Sequence, residues 1–444
     1  MARSADSQLA VDLREAFERA AGRHAPPPAK SSTVAVSLAE RPRLSVALAS
    51  HNRREALGGA LEALAAQTYP PDRFEVVIVL DGSTDGSGEL VRSLAMPYHL
   101  ELVEQPNAGL ASTRNRGADR ATNDVLVFVD DDITLEPNCL EKYATAHQAA
   151  GRDSLVLGAA VPVVAGADAW SRWIADWWQQ HYRRKAEPGH RWTFVDVADG
   201  MASLPRRLFL DSGGFDESFR ERRQDWEWGV RLLEAGVPMS QSLEARGRHE
   251  VDTTIAAAIR YARQEGRSDV QLATKHPQVR GRLPLARFAA RREQAAGFVA
   301  RHAGATAAGA RAFQWVAVPL ARASRSQAAL HRVVGLLRSN SYVLGLRDAL
   351  GSAERLQEFI EPVARGADAE TISVDLEQPR PLEVPPVGGE LRLSVTANGD
   401  EMVRVPAIEP GEQWDWDALT DRVVAALLER GVEPGRVSPL AGAR

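Results

Sequence analysis

The feature that most constrains this chain is an alternation of short apolar runs with amphipathic segments between residues 44 and 130. Leu44–Ala49, Glu75–Leu80, Leu100–Glu104 and Val125–Val129 read as strands, rich in β-branched and apolar residues as strands buried on both faces are. Glu55–Gln67, Gly88–Leu94 and Leu110–Arg120 have helical spacing, and Tyr69-Pro70-Pro71 stops the first of them. Strands alternating with helices form βαβ units around a parallel sheet, so the expected class is α/β. Ligands in such sheets bind beyond the carboxyl ends of the strands. Three runs end there in polar residues: Ser50-His51-Asn52, Asp81-Gly82-Ser83 and Asp130-Asp131-Asp132.

The rest of the chain divides by composition. Residues 1–40 read as a short helix (8–21) followed by the Pro-rich linker His24-Ala25-Pro26-Pro27-Pro28. Residues 41–255 hold the α/β domain, in which Leu155–Val163 and Phe194–Val197 read as further strands and Trp170–Tyr182 and Asp225–Ala235 as helices. Residues 256–365 read as an Arg-rich helical region: the stretch 280–347 holds 12 Arg against the single acid Glu293. Residues 366–444 read as a small acidic α+β module, with a hairpin around Asn398-Gly399 and a helix over Trp416–Glu429.

A net charge of −5 argues against a general nucleic-acid binder. Cys139 is the only cysteine, so no internal disulfide forms, in keeping with a reducing compartment. No apolar stretch reaches the roughly 18 residues that a membrane span needs, and Met1–Ala21 has no apolar run of a secretory signal. The expectation is a cytoplasmic protein. The Arg-rich helices leave room for peripheral contact with the inner face of a membrane, although a solvated helix face explains them as well.

The acidic triplet carries the clearest chemistry. Adjacent carboxylates at a strand end repel unless a cation compensates them, and hard ions such as Mn²⁺ and Mg²⁺ prefer oxygen ligands. In extended chain Asp130 and Asp132 share a side, which leaves Asp131 facing away. A helix N-cap is the plainer reading. Asp81 ends a buried strand where a carboxylate can accept the imide N–H of uracil or thymine, with Gly82 and Gly86 allowing a tight turn; Ser83 or Asp85 can equally cap the next helix. Arg114 and Asn115 fall on the helix before the triplet's strand, where they can meet a diphosphate or ribose.

Taken in order, these segments resemble the inverting family-2 glycosyltransferases with the GT-A fold. The carriers are Ser50-His51-Asn52-Arg53, Leu80-Asp81-Gly82-Ser83-Thr84-Asp85, Asn107-x-Gly109 with Arg114-Asn115-x-Gly117, Val129-Asp130-Asp131-Asp132 and Gly213-Gly214-Phe215-Asp216-Glu217. The resemblance covers about residues 44–250. It implies a mostly parallel Rossmann-like sheet flanked by helices, and a nucleoside diphosphate-sugar donor (UDP or dTDP) held by Ser50, Asn52, Arg53, Asp81, Ser83, Asp85, Asn107, Gly109, Arg114, Asn115, Asp130 and Asp131. It also implies Mn²⁺ or Mg²⁺ on Asp130 and Asp132, with His249 as a third ligand. The general base falls on Asp225, with Glu227 second. Gln224 stands where the family usually has Glu. Trp226, Trp228 and Gly214 are acceptor-side candidates. The cluster Trp170, Trp173, Trp177, Trp178 has helical spacing and reads as core.

The implied reaction is a single, non-processive displacement onto an acceptor hydroxyl, whether of a glycan, lipid carrier, peptide or metabolite. The absent membrane helices and the missing Gln-x-x-Arg-Trp segment argue against a processive synthase. The alternatives are a catalytically silent nucleotide-sugar or glycan binding module, and a sugar-nucleotide pyrophosphorylase. The latter is disfavoured because the first strand ends in Ser50-His51-Asn52 rather than a Gly-rich loop.

Overall fold

The computed structural model describes residues 42–150, 153–164, 169–187, 190, 192–251, 254–285, 327–365, 369–375, 390–397 and 400–408, with a few isolated positions besides. The helix expected at 8–21, the Arg-rich stretch 286–314 and, Val423 apart, the helix expected at Trp416–Glu429 lie outside the described residues.

The alternation read in the sequence is present as β1 (Leu44–Ser50), α1 (Arg54–Ala65), β2 (Phe74–Asp81), α2 (Ser87–Ser93), β3 (His99–Gln105), α3 (Leu110–Arg120) and β4 (Val125–Asp130). There follow β5 (Ile133–Leu135), α4 (Cys139–Ala150), β6 (Leu155–Val164), α5 (Ala169–Lys185), β7 (Met201–Pro205), α6 (Arg206–Asp211), α7 (Gln224–Glu234) and β8 (Met239–Val251). These strands make one sheet in the order β3-β2-β1-β4-β7-β6-β8-β5. β1 runs parallel to both β2 and β4, and β2 parallel to β3. The order therefore reverses beside β1, and β1, β2 and β4 bring their carboxyl ends to one crevice. Beyond β4 the sheet is mixed: β7 is antiparallel to β4 and β6, β8 parallel to β6, and β5 antiparallel to β8. The whole is a mixed α/β sheet.

Two expectations need correction. Phe194–Val197 is not a strand: Phe194–Asp196 is a 3₁₀ turn. Its cause is local, because the backbone N–H and hydroxyl of Thr193 donate to Asp196 Oδ2 at 3.0 and 2.9 Å. The strand that enters the sheet is β7. The long β8 was not anticipated, since its polar residues hide the period; from Glu244 exposed and buried positions alternate, with Ala245 and Gly247 inward.

Pleating sends alternate side chains to two cores. Val46, Leu48, Val76, Ile78, Val127 and Val129 meet Leu57, Leu61 and Leu64 of α1 on one face. Ala47, Leu126, Phe128, Ala202 and Leu204 meet Phe209, Phe215 and Trp228 on the other. The second core also takes in Ala262, Val270 and Leu272 of α8 (Ile255–Lys275) and Tyr342 and Leu346 of α9 (Gln327–Leu350). The helices after residue 255 thus share a core with the sheet. Among the described residues no helix is long and apolar enough to cross a membrane. After α10 (Ala353–Arg365), β9 (Ala369–Asp375), β10 (Glu390–Ala397) and β11 (Asp400–Ile408) form a three-stranded sheet. β10 and β11 are the hairpin expected around Asn398-Gly399.

α8 and α9 cross closely because glycines face backbone. A Cβ on Gly345 would overlap the Arg263 carbonyl oxygen, and one on Gly266 the Tyr342 carbonyl oxygen. α8 is tied to α7 as well. Glu227 is fully buried, and its carboxylate accepts from Arg231 Nη2 at 2.8 Å, Lys275 Nζ at 2.6 Å and His276 Nε2 at 3.1 Å. Burial opposes the charge, but these three donors outweigh it and hold Glu227 down at about 2.

Helix propensity alone favours Gly345→Ala by about 1 kcal/mol. The overlap is with main chain that cannot rotate away, so the substitution is expected to destabilise by about 1–3 kcal/mol in urea denaturation. Glu227→Gln leaves buried donors without their anion and is expected to cost about 3–5 kcal/mol at pH 7. The carboxyl's pKa falls from 4.5 to about 2 on folding. Its stabilisation is therefore complete above 4.5 and lost as pH drops toward 2. The gap in denaturation midpoint between wild type and variant should close over that interval.

Candidate active site

The crevice is built by loops that fasten one strand end to the next. Asp81 closes β2 and is 5% exposed. Its Oδ1 accepts from the backbone N–H of Ala108 (2.8 Å) and from Gln105 Nε2 (3.0 Å), and its Oδ2 from the N–H of Gly109 (3.0 Å). These bonds outweigh burial and lower its pKa. A carboxylate offers about four acceptor sites, so three donors leave one for a ligand N–H. Gly82 is left-handed (φ 72°), and a Cβ there would stand 2.9 Å from Asn107 N. Asn107 Nδ2 in turn donates to the Asp81 carbonyl at 3.1 Å.

The β1 end is locked to the same turn. Asn52, itself left-handed (φ 51°), accepts from Thr84 N at 2.8 Å, and its own N–H reaches Ser83 Oγ at 3.1 Å. Asp85 is a double cap. It accepts from the first N–H of α1, Arg54 N, at 2.8 Å and from Ser87 N and Oγ at 3.1 and 2.6 Å. Ser50 is buried at the strand end. Asn52, Ser83 and Asp85 thus hold the turn's shape, while Arg53 and, at Asp131, Ser50 reach the triplet.

Two arginines compensate the triplet. Arg53 Nη1 lies 3.0 Å from Asp131 Oδ1 and 2.7 Å from Asp132 Oδ2. Asp131, expected to face away, is 5% exposed, and burial pushes it up to about 6 despite Arg53. Arg114, 2% exposed, binds Asp130 with one nitrogen and Asp199 with the other. Gly200 lies directly over Asp130, whose carboxylate any side chain there would strike. Asp132 Oδ1 is buried and accepts no hydrogen bond, and the imidazole of His249 stands 3.6 Å from it. β5 pairs Ile133 with His249, which fixes that approach. An unsatisfied carboxylate oxygen beside an imidazole nitrogen is the donor chemistry that a divalent cation takes. Among the described residues no three His, Cys, Asp or Glu side chains already converge on one point; Asp130 is turned into Arg114 instead.

α7 is capped by Arg223, left-handed at φ 76°. Arg223 is held there by Asp269 of α8, 2.7 Å away, whose other oxygen accepts from Tyr342 Oη at 2.6 Å. Asp225 follows, half-buried and, among the described residues, outside every ion pair; its Oδ1 accepts only from the N–H of Trp226 at 2.9 Å. Burial and the neighbouring Asp199 carboxylate push its pKa up to about 7, with Arg223 and Arg114 opposing. Gln224 is buried and donates to Asp199 at 3.1 Å.

Several candidates turn out to be framework. Glu227 is consumed by the buried network described above and has no face toward the crevice. Trp228 is fully buried between Phe209 and Phe215, so it cannot touch an acceptor. One face of Trp226 is covered by Arg223, 3.5 Å from the ring centre. Asn115 clamps the Gly-Gly-Phe segment: it accepts from Phe215 N and donates to Phe215 O, both at 2.8 Å. A Cβ on Gly214 (φ 64°) would lie 2.7 Å from Asn115 Oδ1, which explains that glycine. In the aromatic helix α5, Trp170 is buried as expected and Tyr182 is buried too, but Trp177 is 48% exposed and stacks on His181. The side chain of Trp173 lies outside the described residues. Sequence reasoning missed Asp199, Gly200 and Asp269. Asp199-Gly200 sat in a stretch to which no element was assigned, and Asp269 in one read as plain helix.

Residues 45–212 match the family profile described as Glycosyl transferase family 2. A validoxylamine A glucosyltransferase of Streptomyces hygroscopicus subsp. limoneus is 31% identical over 236 residues, covering 46% of this chain and 51% of that protein. Glycosyltransferase AglE of Haloferax volcanii is 26% identical over 215 residues, covering 47% of this chain and 67% of that protein. A solved structure, the mannosyltransferase PcManGT from Pyrobaculum calidifontis in complex with GDP-Man and Mn²⁺, is 19% identical and superposes with a TM-score of 0.46, over 76% of this chain and 97% of that one. The chain spans about half the length of the validoxylamine A glucosyltransferases it matches. The matched span runs from β1 to the end of α6 and contains the turn at Asp81, the Arg114 helix and the acidic triplet, so it is this part of the chain that is similar to glycosyl transferase family 2.

Proposed function

We propose that this protein transfers a sugar from a nucleoside diphosphate-sugar to an acceptor hydroxyl, with inversion and in a single displacement, using Asp225 as the general base. The observation that carries the reading is Asp225 itself: a carboxylate outside every ion pair among the described residues, at the mouth of α7, with its proton affinity raised toward neutrality. That is the state a base needs in order to take a proton from an alcohol near pH 7.

Asp81 keeps one acceptor site for an imide N–H, which favours a UDP or dTDP donor. Arg53, half-exposed beside the triplet, is the cation available to the diphosphate. Asp132, Asp130 and His249 are the groups that would hold Mn²⁺ or Mg²⁺, and such an ion supplies charge compensation for the leaving diphosphate. The acceptor oxygen attacks the anomeric carbon, the bond from that carbon to the diphosphate breaks, and the acceptor proton passes to Asp225. Attack from the side opposite the leaving group inverts the anomeric configuration. The glucosyl transfer in the name of the 31%-identical relative makes glucose donors the first to try.

Asp225→Asn is expected to lower transfer by about 10²–10⁴-fold. Binding of UDP should survive, and calorimetry alongside product formation separates the two; equal turnover by wild type and variant would favour a binding module instead. In wild type, transfer should rise with pH and level off above about 7, because only the ionised Asp225 accepts the proton. Asp132→Ala is expected to remove the Mn²⁺-dependent part of UDP binding. Unchanged Mn²⁺ dependence in calorimetry would overturn the metal assignment.

A further inference from the structure

We propose that Asp199 is a positioning residue of this site, supplying from the loop before β7 the negative charge that Gln224 does not carry; this rests on the transferase reading above. The argument begins with the hydrogen bonds. A glutamate at 224 could only accept, whereas the glutamine amide donates, and it donates to Asp199 Oδ2 at 3.1 Å. The same oxygen accepts from Arg114, whose other nitrogen binds Asp130. Asp199, Arg114 and Gln224 are each buried, at 6%, 2% and 7% exposed. A buried guanidinium hydrogen-bonded to a carboxylate at each end holds both acids in place, and each holds it in turn. Asp199 therefore fixes Arg114, and through it the orientation of Asp130. Through Gln224 it fixes the first turn of α7, where Asp225 sits next in sequence.

The pairing accounts for the glutamine. Glutamate at 224 would set two carboxylates about 3 Å apart beside a third, Asp225, and such like charges cannot all ionise. The acid has in effect moved from position 224 to position 199. There it still faces Asp225, whose other charged neighbours are Arg223 at the start of α7 and Arg114 from α3. Asp199 touches neither donor nor acceptor in this account. It acts through Arg114, Gln224 and the field at Asp225.

The test is a charge-relocation cycle of Asp199→Asn, Gln224→Glu and the double variant. Each single variant should lose turnover by about 10- to 100-fold, by misplacing Arg114 or by crowding carboxylates. The double variant should recover most of that loss, and its thermal midpoint should likewise exceed the sum of the single effects. A purely structural Asp199 would leave the pH profile in place. Here the Asp199→Asn profile should rise at lower pH than wild type, because the charge that raises Asp225 is gone, and the double variant should move it back. Strictly additive losses in midpoint and turnover, or an Asp199→Asn profile that does not move, would overturn the proposal. If wild type releases no nucleoside diphosphate from UDP-glucose, dTDP-glucose or GDP-mannose with Mn²⁺, the transferase reading falls. The stability cycle still decides then, since coupling between 199 and 224 does not require turnover.

Discussion

The site depends on one buried guanidinium. Arg114 lies on the helix that precedes β4, almost wholly out of water, and bridges Asp130 at the end of that strand to Asp199 in the loop before β7. A charge so placed is costly unless it is paired and hydrogen-bonded. Pairing it fixes three segments at once: the parallel half of the sheet through Asp130, the antiparallel half through Asp199, and α7 through Gln224. Removing Arg114 would leave Asp130 and Asp199 without their shared cation, so this one side chain ties the two halves of the crevice together.

A second anchor sets the base from behind. Arg223 takes a left-handed conformation that non-glycine residues adopt reluctantly. It stays there because Asp269 and Tyr342, from helices beyond the α/β sheet, close a buried ion pair and hydrogen bond around it. Glu227, one turn into α7, is pinned by Lys275 and His276 of the same neighbouring segment. The glycine crossing of α8 and α9 brings Tyr342 near enough to Asp269 for this. The helices after residue 255 thus shape the start of α7, where the proposed base stands, and do more than decorate the sheet.

Much of the fold was legible because its cause is local. Leu110–Arg120 is a helix as read, and the strands at 44, 75, 100 and 125 follow from β-branched apolar runs between turn residues. The misreadings have physical reasons too. Phe194–Val197 has strand composition, but the Thr193–Asp196 capping bonds turn it into 3₁₀. β8 shows its alternation only from Glu244 on, so composition concealed it. The triplet and the Asp81 turn were legible as polar residues closing apolar runs, whereas Asp225 was singled out only through the family resemblance. Asp199 was not, for a lone aspartate in a loop carries no signal until Arg114, 85 residues earlier in the chain, is seen to bind it.

By itself the sequence determined the strand–helix alternation, the polar ends of β1, β2 and β4, and hence the sheet edge on which those polar residues gather. Periodicity and turn residues act over a few positions, and the chain order lays them out directly. Only the tertiary structure decided which acids are free and which are spent. Asp225 and Glu227 stand two residues apart on one helix. One emerges half-buried and outside any ion pair, the other fully buried among Arg231, Lys275 and His276. Their difference lies in what packs against each face of α7, and those partners come from distant parts of the chain that spacing within the helix cannot reveal.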